Sequence, residues 1–247
     1  MLDFSYYFIV SFCILLFAIS KSGFSGGGLA LISVTVLSIT YGPLTAIAIL
    51  MPMLIVCDAI AAFLNRKYYD HKAVWSIAPF SLLGVIAGTI LFKFINLSLI
   101  SVFIGSISLA YVISNYLLTQ SKIKKIPFYG SKTIWGTLAG FTSFVSHAGG
   151  PPAAVYLLSK RPNKTEFQAT TVIIFWAINL AKAVPYAFLG LFTLETLTLN
   201  VALAPFALIG VWMGVKAHHW VSDRLFFALT YALLTVTGLR LIWMAVT

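Results

Sequence analysis

Two glycine-rich breaks and three ionisable residues are the parts of this chain best placed to do chemistry. Ser22-Gly23-Phe24-Ser25-Gly26-Gly27-Gly28 interrupts one apolar stretch, and His147-Ala148-Gly149-Gly150-Pro151-Pro152 interrupts another. Gly26, Gly27 and Gly28 open a helix at Leu29. Gly149 and Gly150 do the same before Pro151 and Pro152, where proline suits a first helical turn. A helix N-terminus offers unpaired N–H donors and partial positive charge, so it suits an anion. The same glycines could instead serve close helix packing. Their recurrence at equivalent places in two related halves favours a site that includes Ser25, Gly26, Gly27, Gly28, Gly149 and Gly150.

The ionisable residues are Lys182, Asp58 and His147. Thr171, Phe175, Asn179, Lys182 and Tyr186 fall at helical steps of 4, 4, 3 and 4, one stripe on one face. A cation at this depth is costly unless it snorkels, pairs or faces water. With Asn179 and Thr171 on its stripe, Lys182 is read as facing a cavity, and Asn179 as a second binding residue. Asp58 is the only carboxylate well inside an apolar run. Counting inward from the loops puts Asp58 and Lys182 in opposite leaflets, more than ~10 Å apart, guarding opposite ends of one pathway. The other reading of Asp58 is a pair with Arg66 or Lys67. His147 could donate to an anion, carry a proton or make a structural hydrogen bond. Asp58 and His147 are therefore the candidates for gating or ion coupling. Lys21 adds positive charge at the first break or marks a hairpin tip. Arg240 is a second cavity cation or packs against neighbouring carbonyls. His71, His218 and His219 are expected to be solvated. Cys13 and Cys57 lie in apolar segments outside any CxxC motif and are read as core thiols.

These residues must be positioned by membrane-spanning helices. Hydrophobic residues make up 60% of the 247, and charged residues only 9%, too few to cover a soluble surface. The net charge of +10 could suggest nucleic acid, but the basic residues cluster in short loops between apolar runs. No nucleic-acid partner is expected; the lipid bilayer is. Asp3 replaces the basic start of a signal peptide, and no small-residue cleavage site follows. The apolar segments are 4–20, 24–40, 43–64, 73–92, 98–118, 133–147, 150–158, 166–190, 197–216 and 224–246.

The chain also repeats a phrase. Ala78-Pro79-Phe80-Ser81-Leu82-Leu83-Gly84-Val85-Ile86-Ala87-Gly88 returns 126 residues later as Ala204-Pro205-Phe206-Ala207-Leu208-Ile209-Gly210-Val211-Trp212-Met213-Gly214. Gly27-Gly28 matches Gly149-Gly150 at an offset of 122. Basic loops at 66–72, 122–132, 160–164 and 216–224 are cytoplasmic by the positive-inside rule. Segment 133–158 then starts and ends in the cytoplasm, and its legs of about 22 and 14 Å are too short to span comfortably. It reads as a re-entrant hairpin, with segment 4–40 its counterpart starting outside.

The expected fold is an all-α polytopic membrane protein with two inverted-topology repeats. Each is a broken or re-entrant helical hairpin followed by three transmembrane helices. Residues 1–121 form the first repeat, 122–132 a cytoplasmic basic linker and 133–247 the second repeat, with both termini outside. Repeats of this kind suit a secondary transporter with its site where the halves meet. The electrostatics favour a small anion, with protons as a possible coupling ion, and no cofactor is expected. An intramembrane enzyme would need Ser25 or Ser146 with His147 as nucleophile and base. There is no HExxH motif, and adjacent helical residues such as Ser146 and His147 point apart. A membrane scaffold needs no water-accessible cavity at Lys182, and an ion channel would need a continuous charged stripe.

Several of these residues, in order, resemble the TauE/SafE sulfite exporter family. In the first half they are the glycine break at 22–28, Leu50-Met51-Pro52-Met53-Leu54-Ile55 and Asp58. In the second they are His147-Ala148-Gly149-Gly150-Pro151-Pro152, Tyr156-Leu157-Leu158, Thr170, Asn179, Lys182 and Pro185-Tyr186. The repeated Pro-Phe-x-x-x-Gly-x-x-x-Gly also fits. The first break differs in running into Leu29-Ala30-Leu31-Ile32-Ser33-Val34 without the proline often found there. The resemblance implies an inner-membrane carrier of small anions, often sulfite or organosulfonates.

Topology is directly testable. Cysteines introduced in 65–72, 119–132, 159–165 and 216–223 should react only from the cytoplasm, and those in 94–97 and 192–196 only from outside. Labelling of 119–132 and 159–165 from opposite faces would turn segment 133–158 into a crossing.

Overall fold

The computed structural model describes residues 4–24, 29–41, 43–91, 99, 102, 105, 106, 108–113, 127–147, 149–190 and 192–246. Helices dominate, and there is no strand among the described residues. In the first half they are α1 (Phe4–Gly23), α2 (Leu29–Tyr41), α3 (Pro43–Asn65) and α4 (His71–Leu91). Residues 108–113 are also helical, in the segment expected to form the last span of that half. A 3₁₀ turn (Pro127–Gly130) leads into α5 (Lys132–Ser146), α6 (Gly150–Ser159), α7 (Lys164–Phe188), α8 (Leu194–Trp220) and α9 (Asp223–Val246). Five helices are long and apolar enough to cross a membrane: α3, α4, α7, α8 and α9.

The boundaries follow local chemistry. Ser131 caps α5 by accepting from the Ile134 amide, and Asn163 caps α7 by accepting from the Glu166 amide. Thr193 and Thr196 make a reciprocal capping box at α8. Between α5 and α6, His147 takes the left-handed conformation (φ 54°), and Pro151 and Pro152 sit in the first turn of α6. The 3₁₀ turn before α5 packs on α6, and a Cβ built on Gly130 lies 3.9 Å from Ser159 Oγ. The α5–α6 hairpin therefore returns to the end where it started. Its legs have 15 and 10 residues, matching the expected short hairpin.

One loop differs from expectation. The segment 216–223 was expected to be a loop, but α8 continues to Trp220 and leaves only Val221 and Ser222 before α9. The physical reason is a set of long-range partners: Lys164 Nζ donates to the carbonyls of His218 and Val221, which holds this end of α8 against the start of α7. Of the expected linker 122–132, residues 122–126 lie outside the described residues.

Polarity is arranged inside out. Leu83, Ile86 and Ile90 on α4, Val201 and Trp212 on α8 and Val236 on α9 are more than half exposed, while Asp58 and Lys182 have no exposure at all. In water such an apolar surface would associate; facing hydrocarbon, it is the stable arrangement. This is a multi-pass membrane protein.

The repeated phrase has a specific packing role. α4 lies along α5, and α8 lies along α1, so each copy of the phrase packs on the first hairpin helix of the other half. The contacts are equivalent residue by residue. A Cβ on Gly84 would collide with Thr137 O and approach Phe141 N to 2.7 Å. One on Gly210 would meet Leu15 O at 2.7 Å and Ile19 N at 3.4 Å. Leu15 and Thr137, and Ile19 and Phe141, are 122 residues apart, the offset that relates the two glycine breaks. One turn on, Gly88 meets Phe144 and Gly214 meets Ser22, again 122 apart. Small residues let helix backbones touch, which in lipid replaces the missing hydrophobic drive for association.

Gly84→Val and Gly210→Val should each lower stability by at least about 1–3 kcal/mol, the usual range for overpacking. Leu82→Ile, on the 41% exposed Leu82, should not. Thermal unfolding of the detergent-solubilised protein measures the difference.

Candidate functional site

α7 carries most of the site, and the stripe predicted from spacing is what it buries. Thr171, Phe175, Asn179, Lys182 and Tyr186 all face the interior. Lys182 does not snorkel: it is fully buried, and its Nζ donates to Ser143 O and to Ser143 Oγ, both at 3.0 Å. The third neighbour of Nζ is His147 Nδ1 at 3.3 Å. An ammonium has only donors, so Nδ1 accepts and the neutral imidazole carries its proton on Nε2. His147 Nε2 is shielded from solvent and has no hydrogen-bond partner among the described residues. Tyr186, one turn beyond Lys182, donates its hydroxyl to Phe144 O. Lys182 and Tyr186 thus hold the last turn of α5, through Ser143 O, which also accepts from the His147 amide, and through Phe144 O.

Asp58 comes from α3 and is also fully buried. Asn179 Nδ2 donates to its Oδ2 at 2.5 Å, and Lys21 Nζ stands 3.8 Å from its Oδ1. This corrects two expectations. Asp58 pairs with Lys21, not with Arg66 or Lys67. It also belongs to the same cluster as Lys182, because Asn179 sits one turn before Lys182 on one face of α7. The depth count failed because it assumed parallel spans with common ends. α7 has 25 residues, more than a crossing requires, and its middle lies against α3.

Lys21 brings in the first hairpin. Its ammonium lies 4.4 Å from the centre of the Phe175 ring, a cation–π contact, and its carbonyl accepts from Gln168 Nε2 at 2.9 Å. The Phe175 ring would also lie 3.1 Å from a Cβ on Gly149. One α7 residue thus touches the flanks of both glycine breaks. Ser25, Gly26, Gly27 and Gly28 themselves lie outside the described residues, as does Ala148.

The two described glycines of the second break differ. A Cβ on Gly149 would press on Ala139 O at 2.6 Å and Ser143 Cβ at 2.7 Å, so Gly149 is needed for close packing. A Cβ on Gly150 meets nothing within 4 Å among the described residues, so the N-terminus of α6 faces open space. No side chain caps that helix; Pro151 and Pro152 carry no N–H and the Ala153 amide donates to Gly149 O, so in its first turn only the Gly150 N–H could reach a ligand.

Other expectations are settled by contacts. His218 is not solvated: it is buried, with Nδ1 3.2 Å from Gly23 O and Nε2 3.4 Å from Thr165 Oγ1. It holds the chain just before the first break, together with the stacked rings of Phe24 and Phe226. Thr170 accepts from the Asp70 amide. His71 and His219 are exposed, and Arg240 is half-buried. Cys13 and Cys57 are buried free thiols, as expected. Sequence reasoning underweighted Lys21, Ser143 and Gln168, whose partners lie on other helices. A cation bordering a glycine break was the only sign available for Lys21.

An apolar exterior, a helical hairpin with legs of 15 and 10 residues and a buried cluster of charges define the class: a polytopic helical membrane protein with an internal polar site. The chain belongs to the sulfite exporter TauE/SafE family, whose model matches residues 11–241. The members of this family are membrane transporters rather than enzymes. No curated relative and no solved structure matches the chain.

Lys21→Met leaves the buried Asp58 without its counter-ion and should cost about 3–5 kcal/mol of stability. Lys21→Met combined with Asp58→Asn should recover most of it, because no charge is then stranded. Melting temperatures of the two variants in detergent test this pairing.

Proposed function

We propose that this protein is a secondary transporter of a small anion, of the sulfite or organosulfonate type, moving it across the inner membrane by alternating access. The observation that carries the proposal is Lys182: a fully buried ammonium beside the open N-terminus of α6, in a protein covered by apolar side chains. A cation there is costly even with its Ser143 and His147 contacts, and intramembrane charges of this kind mark substrate or ion pathways. The binding residues in this reading are Ser25, Gly26, Gly27, Gly28, His147, Gly149, Gly150, Asn179 and Lys182. Gly150, His147 and Lys182 face the ligand, and Gly149 and Asn179 position them. Asp58 and His147 serve gating or ion coupling, with protons as the coupling ion.

The exchanged packing of the repeated phrase supports an inverted repeat of residues 1–121 and 133–247, with 122–132 as a cytoplasmic linker and both termini outside. Two related halves that each embrace the other's hairpin place the site between them. A scaffold would have no use for a buried cation held beside the second glycine break, and that argument sets the scaffold reading aside.

In proteoliposomes, Lys182→Met should insert normally and lose at least ~tenfold in sulfite or sulfonate flux. Lys182→Arg should restore only part of it, since a planar fork does not reproduce ammonium geometry. Gly150→Val should abolish transport with the protein still present in the membrane, because the added side chain fills the approach to α6. Gly27→Val should match it. Unchanged flux in Lys182→Met and Gly150→Val would refute the assignment.

A further inference from the structure

The buried cluster has a charge balance that constrains its ligand. Lys21 and Lys182 are the cations, Asp58 the anion, and His147 is neutral while its Nδ1 accepts from Lys182. Among the described residues no carboxylate reaches ion-pair distance of Lys182. The other described carboxylates with placed side chains lie at helix starts: Asp70 before α4, Glu166 in the first turn of α7 and Asp223 in that of α9. The titratable neighbours on the packed helices are Cys57 beside Asp58 on α3 and Tyr186 on α7, whose hydroxyl is donated to Phe144 O. Arg240, on α9, is half-buried. α2 contributes no charged residue.

With both lysines protonated, the cluster carries one net positive charge. Where the charges are buried, the loaded state is stable when they sum close to zero. Resting on the anion-transport reading, we infer that the loaded site balances a single negative charge: it takes a monoanion directly and takes a dianion only together with one additional proton. That proton goes to Asp58, whose Oδ1 accepts no hydrogen bond among the described residues. Protonation of Asp58 raises the cluster's charge by one, and the sum then matches the dianion. The site thereby distinguishes the two ionic forms of sulfite, which coexist near neutral pH, and makes proton uptake a property of the substrate's charge.

The test uses the purified full-length protein and two probes of fixed charge, methanesulfonate (−1) and sulfate (−2). Titration calorimetry in buffers of different ionisation heat counts the protons taken up with each. Sulfate should bind with about one proton more than methanesulfonate and should weaken as pH rises, while methanesulfonate binding changes less. Asp58→Asn mimics the protonated carboxyl. It should bind sulfate without the extra proton and at least ~tenfold more tightly than the wild type at high pH, as expected for removing a nearby like charge. Equal proton counts for the two probes in the wild type would overturn the inference and leave anion binding intact. Failure of the wild type to bind methanesulfonate, sulfate or sulfite would overturn the anion-transport reading and this inference with it. If Asp58→Asn does not fold, the wild-type proton counts decide alone.

Discussion

A charge buried inside a hydrocarbon-covered protein has to be met by partners at hydrogen-bond distance, because burial strips it of water. Asp58 and Lys182 are both fully buried, and α1, α5 and α7 supply their partners. Asp58 requires Lys21 from α1 and Asn179 from α7. Lys182 requires the end of α5, through Ser143 and His147. These two demands bring α1, α3, α5 and α7 to one place, and with them the flanks of both glycine breaks.

The backbone contacts made by small residues allow that convergence. Gly84 and Gly88 fit α4 onto α5, and Gly210 and Gly214 fit α8 onto α1. Each seam ties a spanning helix of one half to the hairpin of the other. A motion that pulled the halves apart along these seams would break contacts at backbone level, so each hairpin should move with the spanning helix it packs against. The open side lies elsewhere, at Gly150, where an added Cβ meets no described atom. Tight seams beside an open helix end are what a site needs if it is to hold its donors in place while a ligand comes and goes.

Much of this was legible in the chain. The Gly and Pro clusters marked the helix breaks, because those residues act through local backbone geometry. The stripe on α7 was legible because helical periodicity puts Thr171, Phe175, Asn179, Lys182 and Tyr186 on one face whatever surrounds them. The repeated phrase pointed to two related halves, and its glycines proved to be the contact points. His218 was misread as solvated, since nothing local distinguishes it from His219, which is exposed.

Composition, periodicity and the placement of glycine and proline thus determined by themselves that this is a helical membrane protein with a polar stripe buried along one span. These are properties of single segments, set within a few residues of chain. The tertiary structure alone decided that Asp58 pairs with Lys21 across 37 residues of sequence and shares Asn179 with the Lys182 helix, that His218 reaches Gly23, and that each half packs on the other's hairpin. Those outcomes depend on which helices lie side by side. Residue counts along separate spans carry no information about that, because the partners a buried charge finds are set by the packing of the whole bundle.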